Sequence, residues 1–494
     1  MHTEPTHRRI LHSKGWDANA DFARSVVTHI GRPDCAISPF RKRRSEGSRP
    51  IVSNPPMTRL ARILLLVMGL LSLNSKTAAV PPASGTGDWV WFPDTFPTMA
   101  PYLVTLDQFG TSAMAPGPVI PSDPVSRLGQ GVKMRLGSVG FEYNFYQSIS
   151  LVDIPRPVTG LDALVYYTTE FQGKWVVARS PGGTGLGLSL QFTGQEGLTR
   201  DTQAPMEHSP QINFGSLSNP QANVTGMEGY RLAEIAAQIS SPHGDWILLL
   251  GMVDQGNYVD SNSYANNSQT QFLNDALVNN VTIPLPEANL GFNLQWQPSR
   301  QLYLLLGAGS NLQIPKSGLV LSLGTDNWSY LLELGLITTN TFGMGPGIYR
   351  IQPFLATVQG DSQGGVGLNF QQDLGIHTPI AAFGRLGVCG NQIAFENIRA
   401  QGSLGLALTG PIDAPGPIPL FSNDLLGLAF VWSQAVPDGS PVYRLNEYST
   451  ELFYSFQITP TLKLQPDLQV FWDAAYRPQS EVSLLWQLQL TPDR

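Results

Sequence analysis

Glu447 and Glu451, then Lys463, Gln465, Asp467 and Gln469, recur at even spacing near the end of this chain, each flanked by other residue types. Side chains two residues apart share one face of a strand, so carboxylates, an ammonium group and amides would line a single polar surface. Arg385 falls on the polar parity of an earlier segment, as do Glu142, Asn144, Asn293, Gln295, Glu333 and Arg350. Their shared chemistry is hydrogen bonding and charge, suited to reversible contact with hydroxyl-bearing solutes and making or breaking no bond. The plainer account of any one of them is a solvated or mutually hydrogen-bonded wall without selectivity. Phe383 and Phe471, on the same parity, could stack on apolar solute faces or simply fill space.

Nothing else supplies a catalytic constellation. Outside the N-terminal leader only His208, His243 and His377 remain, none at metal-ligand spacing, and neither a nucleophile elbow nor a phosphate loop is present. No enzyme activity, cofactor or metal is expected. Gly183, Gly185 and Gly187 miss the dinucleotide-binding spacing and read as strand glycines.

The elements that must position the polar row follow from the residues between its members. Leu462, Leu464, Pro466, Leu468, Val470 and Trp472 alternate with it, as do Tyr448, Thr450, Leu452, Tyr454, Phe456 and Ile458 in the preceding segment and Leu484, Trp486, Leu488 and Leu490 in the next. Strands of about ten residues with one apolar and one wet face are the unit of a transmembrane β-barrel. Mean hydropathy is near zero because the two faces cancel, so the alternation decides. Trp246, Trp296, Trp328, Trp472 and Trp486 fit interfacial aromatic girdles. Sixteen to eighteen such segments can be counted, least securely before residue 230. The expected fold is all-β, a transmembrane antiparallel β-barrel of about 16 strands with long outer loops.

Four regions are expected along the chain. Residues 1–56 carry the run Arg41, Lys42, Arg43, Arg44 and no period, and read as a non-native or disordered extension ahead of a true start at Met57. Residues 57–79 have the charged start, short apolar stretch and small-residue exit of a signal peptide. Residues 80–128 are Pro-rich, and residues 129–494 hold the barrel. With the first 79 residues set aside, 17 Lys plus Arg face 32 Asp plus Glu, about −15, which argues against nucleic acid as a partner. Cys389 then stands alone, so closure of the barrel rather than a disulfide must hold the fold.

Short turns are expected at 241–245, 297–301, 375–379 and 459–461, and long loops at 194–227, 255–288 and 434–444. The segment 338–347 falls on the short-turn side despite its length, and so do both ends of the barrel. Thr270–Asn279, with Phe272, Leu273, Ala276 and Leu277 at helical spacing, predicts a helix packed on the wall or folded inward.

Two regions carry a resemblance. One runs from Tyr264, Ala265, Asn266 through Gln271, Phe272, Leu273, Asn274, Ala276 and Leu277 to Pro284, Pro286, Gly291, Trp296 and Pro298. The other comprises Glu447, Glu451, Tyr454, Thr459, Pro460, Leu464, Gln465, Pro466, Asp467, Leu468 and Gln469, with Phe383, Gly384 and Arg385 beside them. The chain resembles the carbohydrate-selective outer-membrane porins of the OprB type over residues 129–490. The resemblance implies a sixteen-stranded bacterial outer-membrane barrel, with homotrimer formation left open, through which sugars and other small neutral solutes diffuse passively. It also implies that Arg385, Glu447 and Glu451 face the lumen. The remaining candidates for a pore-lining, sugar-binding wall are Lys463, Gln465, Asp467 and Gln469. The alternative is a plugged structural or adhesive outer-membrane barrel.

Overall fold

The protein is described by a computed structural model covering residues 90–91, 124–158, 161–199, 209–222, 224, 229–286, 288–310, 327–358, 360–375, 379–394, 397–409, 424–437, 442–479 and 482–492. The expected extension and signal peptide, at 1–56 and 57–79, and most of the Pro-rich segment lie outside the described residues.

A two-residue strand, β1 (Val90–Trp91), pairs with Ala178 and Arg179. A helix, α1 (Pro124–Gly137), precedes the barrel, which opens at Phe141 rather than near Gly129. The barrel strands are β2 (Phe141–Asp153), β3 (Ala163–Arg179), β4 (Gly185–Gly197), β5 (Gly229–Ser240), β6 (Trp246–Val253), β7 (Asn289–Trp296), β8 (Leu302–Ser310) and β9 (Trp328–Thr338). They continue with β10 (Gly347–Val358), β11 (Asp361–Asp373), β12 (Ile380–Cys389), β13 (Ile398–Thr409), β14 (Leu425–Ala435), β15 (Asn446–Thr459), β16 (Leu462–Trp472) and β17 (Val482–Pro492). Each pairs antiparallel with its neighbours in sequence, and β17 closes on β2 from Leu490 opposite Ile149 to Trp486 opposite Asp153. Closure leaves no open edge, which a sheet surrounded by lipid requires.

Alternation sets the two faces. Leu404, Leu406, Leu428, Leu452 and Leu488 point outward and are exposed, whereas Ser403, Ala429, Glu451 and Gln487 between them are buried toward the lumen. Trp246 and Trp296 pair at one rim. Trp328 and Trp472 stand at the opposite strand ends, as girdle residues do. Trp486 lies mid-strand instead, on the outward face.

The links at 180–184, 241–245, 297–301, 339–346, 374–379 and 460–461 share one end of the barrel with the start of β2 and the finish of β17, which is the periplasmic arrangement. The 339–346 link falls there as expected. The link at 410–424 is long for that end, and the link at 359–360 is short for the other.

Two insertions at the long-loop end fold back into the barrel. The β4–β5 insertion carries α2 (Pro210–Phe214) and the β6–β7 insertion carries α3 (Asp275–Val278). The ten-residue helix expected over Thr270–Asn279 is thus one turn, started by the Asn274 side chain accepting from the Ala276 N–H. Phe272, Leu273, Ala276 and Leu277 are fully buried, because the segment packs inward.

Candidate functional site

The β6–β7 insertion crosses the lumen and is fastened to the wall by charged groups. Arg385 on β12 pairs its Nε with Asp260 Oδ2 at 2.8 Å and donates to the carbonyl oxygens of Leu277, Val278 and Asp260 at 2.5, 3.1 and 3.0 Å. Asp260 sits at φ 65°, in the left-handed region, which turns its backbone N–H onto Glu333 Oε2 at 2.8 Å. Glu333 also accepts from Tyr303 at 2.6 Å and from Gln352 at 2.7 Å, and Arg350 Nε lies 3.7 Å from it. Each of these buried charges is thereby paired and hydrogen-bonded, the condition for keeping a charge away from water.

The two glutamates of β15 act as acceptors for loop backbone. Glu451 takes the N–H groups of Leu273 and Asn274 at 2.6 and 2.9 Å. Glu447 takes those of Leu217, Ser218 and Ala475 at 2.6, 3.0 and 3.0 Å and the Ser218 hydroxyl at 3.1 Å. On β16, Gln465 donates to Gln271 O at 2.6 Å, and Gln469 donates to Pro220 O at 2.8 Å and to Asp467 Oδ1 at 3.3 Å. Arg385, Glu447, Glu451, Gln465, Asp467 and Gln469 are therefore brought together on the lumen face, beneath the insertions. Lys463, nearer the periplasmic rim, lies opposite Gln457 and Thr491 and is half-buried. Phe383 and Phe471 fill space: Phe383 packs on Phe272 at 5.2 Å and Phe471 on Phe214 at 4.6 Å.

Small residues on the wall admit the insertion. A Cβ at Gly387 would overlap the side chains of Thr282 and Asn280, and one at Gly367 would meet Ile283 and Asn280 within 2.9 Å. Further acceptors and donors went unrecognised in the sequence. Glu234 on β5 accepts from the Asp254 N–H at 3.1 Å and the Tyr258 hydroxyl at 2.6 Å, and Gln401 on β13 accepts from the Val281 N–H at 2.9 Å. Within the insertion, Tyr264 donates to Asp373 at 2.5 Å, and burial, then that carboxylate, push its phenol above the ordinary range and keep it protonated.

The insertions cover the wall unevenly. On β9 to β17 the polar lumen residues Gln352, Asn369, Gln401, Glu447, Gln469 and Gln489 are buried. On β2 to β4, Asn144, Glu170, Gln172, Thr193 and Gln195 are only half-buried and Lys174 is exposed. Glu170 Oε1 accepts from Gln172 at 2.7 Å and Gln191 at 2.9 Å, and Gln191 accepts from Asn257 of the insertion at 2.6 Å. This amide-and-carboxylate row faces the part of the lumen that the insertions leave least filled.

Comparison with known proteins agrees with this architecture. The family model described as carbohydrate-selective porin, OprB family, matches residues 179–490. Porin AaxA of Chlamydia abortus is 26% identical over 239 residues, covering 46% of this chain and 50% of that protein. Porin AaxA of Chlamydia felis is 28% identical over 225 residues, covering 44% and 48%. The chain spans about half the length of the curated relatives it matches. The high-pH structure of Pseudomonas putida OprB superposes with a TM-score of 0.57 at 15% identity, covering 74% of this chain and 97% of that one, and shares its fold. With sixteen strands closed around inward-folded loops and the family model matched across nearly all of them, the chain is an outer-membrane protein that belongs to the carbohydrate-selective porin, OprB family.

Proposed function

We propose that this protein lets carbohydrates and other small neutral solutes diffuse passively across the bacterial outer membrane. The observation that carries this reading is the half-buried row of Asn144, Glu170, Gln172 and Gln195 beside the narrowing insertion. Amide and carboxylate groups exchange hydrogen bonds with sugar hydroxyls as readily as with water, so a solute can enter and leave without a deep energy well. In this reading Arg385, Glu447, Glu451, Gln465, Asp467 and Gln469 shape the pore by holding the insertions, while Lys463 lines its periplasmic mouth. Single-channel recording in planar bilayers tests it. Conductance lowered reversibly by added sugar supports the proposal, and conductance indifferent to sugar contradicts the selective form.

A plugged barrel is the second reading, supported by the burial of both insertions against the wall. A silent channel that conducts only after the β6–β7 insertion is shortened would favour it.

A homotrimer is proposed as the assembly. The outer face of β2 and β3 supports it, since Gln147 donates to the Tyr167 hydroxyl at 2.5 Å and Thr169 beside them is buried on the outward parity. Polar groups there are better placed against another protein surface than against lipid tails. Chemical cross-linking of the protein in native membranes reads the subunit number directly.

A further inference from the structure

Three buried oxygens on the inner face of β16 and β17 point to a ligand. Gln465 donates its amide nitrogen to Gln271 O at 2.6 Å, and Gln487 donates its own to Pro220 O at 2.9 Å. A backbone carbonyl can only accept, so the nitrogen of each amide faces its carbonyl and the oxygen is left for another partner. Asp467 stands directly opposite Gln487 in the strand register and two residues from Gln465 on the same face. That places the three side-chain roots about 5 to 8 Å apart. Asp467 Oδ2, Gln465 Oε1 and Gln487 Oε1 are all buried and receive no hydrogen bond from an N–H or hydroxyl donor, on residues at most 4% exposed.

Glu451 completes the group. Its side chain lies within hydrogen-bond reach of Asp467, while its oxygens also take the Leu273 and Asn274 N–H groups. Two carboxyls and two amides stand on one stretch of wall where both insertions meet it, and with both carboxyls ionised the group holds acceptors that cannot satisfy one another. A donor set made only of oxygens suits a hard cation, for which carboxylates and amide carbonyls are the usual ligands, and not a softer transition metal. Among the described residues no three His, Cys, Asp or Glu side chains converge on a metal position, so the amide oxygens supply half of this set.

We propose that Glu451, Asp467, Gln465 and Gln487 bind a hard metal cation of the calcium class, which ties the β4–β5 and β6–β7 insertions to β15, β16 and β17. The cation neutralises the two carboxyls, while Glu451, Gln465 and Gln487 keep their contacts with loop backbone and Asp467 Oδ1 keeps the Gln469 amide. Loss of the ion would loosen both insertions at one point. The proposal does not depend on which solute the pore admits.

Calcium binding to detergent-purified protein, stripped with a chelator and free of lipopolysaccharide, tests this by equilibrium dialysis. The expected result is about one calcium ion per chain, with a lower temperature for loss of heat-modifiable gel mobility after chelation. Asp467→Asn, which replaces one oxygen by a donor, and Gln487→Leu, which removes an oxygen and leaves the charges, should each weaken binding at least about tenfold. Asp361→Asn, at the exposed tip of β11, should not change it. Absence of calcium in the wild-type chain, or equal binding by Gln487→Leu, would overturn the proposal and leave a proton or water as the group's partner. The wild-type measurement stands by itself if Asp467→Asn does not fold.

Discussion

Arg385 of β12 and Asp260 of the β6–β7 insertion form an ion pair at 2.8 Å across 125 residues of sequence, with both side chains almost wholly buried. The insertion's path through the lumen is therefore set by a wall charge and not by the insertion's own secondary structure, which amounts to a 3-10 turn and one helical turn.

Removing one partner leaves the other charge buried and unpaired. Arg385→Met should cost about 3–5 kcal/mol, the usual range for breaking a buried pair from one side. Urea unfolding in detergent checks the stability. Single-channel recording should show a larger or noisier conductance as the 254–288 segment leaves the wall.

Gly387→Val tests the same docking by shape instead of charge. A side chain there collides with Asn280 and Thr282 of the insertion while the β11 and β13 pairings remain available. The expected result is a folded barrel with an altered conductance. An unchanged conductance would mean that the insertion does not set the pore's width.

Glu447→Ala strands the N–H groups of Leu217, Ser218 and Ala475. Each buried donor left unsatisfied costs about 1–3 kcal/mol, less where water reaches it. Limited proteolysis of intact cells should then cut within 198–228 faster than in the wild type, with the β6–β7 insertion unaffected.

The alternation made the strands from Glu447 onward legible, because β15, β16 and β17 keep a period of two along most of their length and each step reports a face. The same rule placed Asn293, Glu333, Arg350 and Arg385 on the lumen side. Earlier strands were harder to count for a physical reason. Pairing shifts at Val176/Ala178 and at Gln191/Phe192, and a bulge moves every following side chain to the other face. Gln191 and its partner Glu234 lie at the second of those irregularities and so escaped notice. The destination of the wall polar groups was illegible too. Parity says that Glu451 points inward, but only the fold of a distant insertion says that it meets Leu273 and Asn274.

Glu170→Gln keeps an acceptor for Gln172 and Gln191 and removes one negative charge from the least-covered wall. The fold should be unchanged. Reversal potentials in a salt gradient should move away from cation preference, the expected response to losing one carboxylate from a pore lining. An unchanged potential would place the permeation path elsewhere.

The most direct measurement is the swelling rate of liposomes carrying the purified protein in isotonic sugars of increasing size. A passive channel narrowed by its insertions should admit monosaccharides quickly, slow with each added ring, and speed up for larger sugars in Arg385→Met. No swelling in any sugar, by wild type and variant alike, would contradict the account.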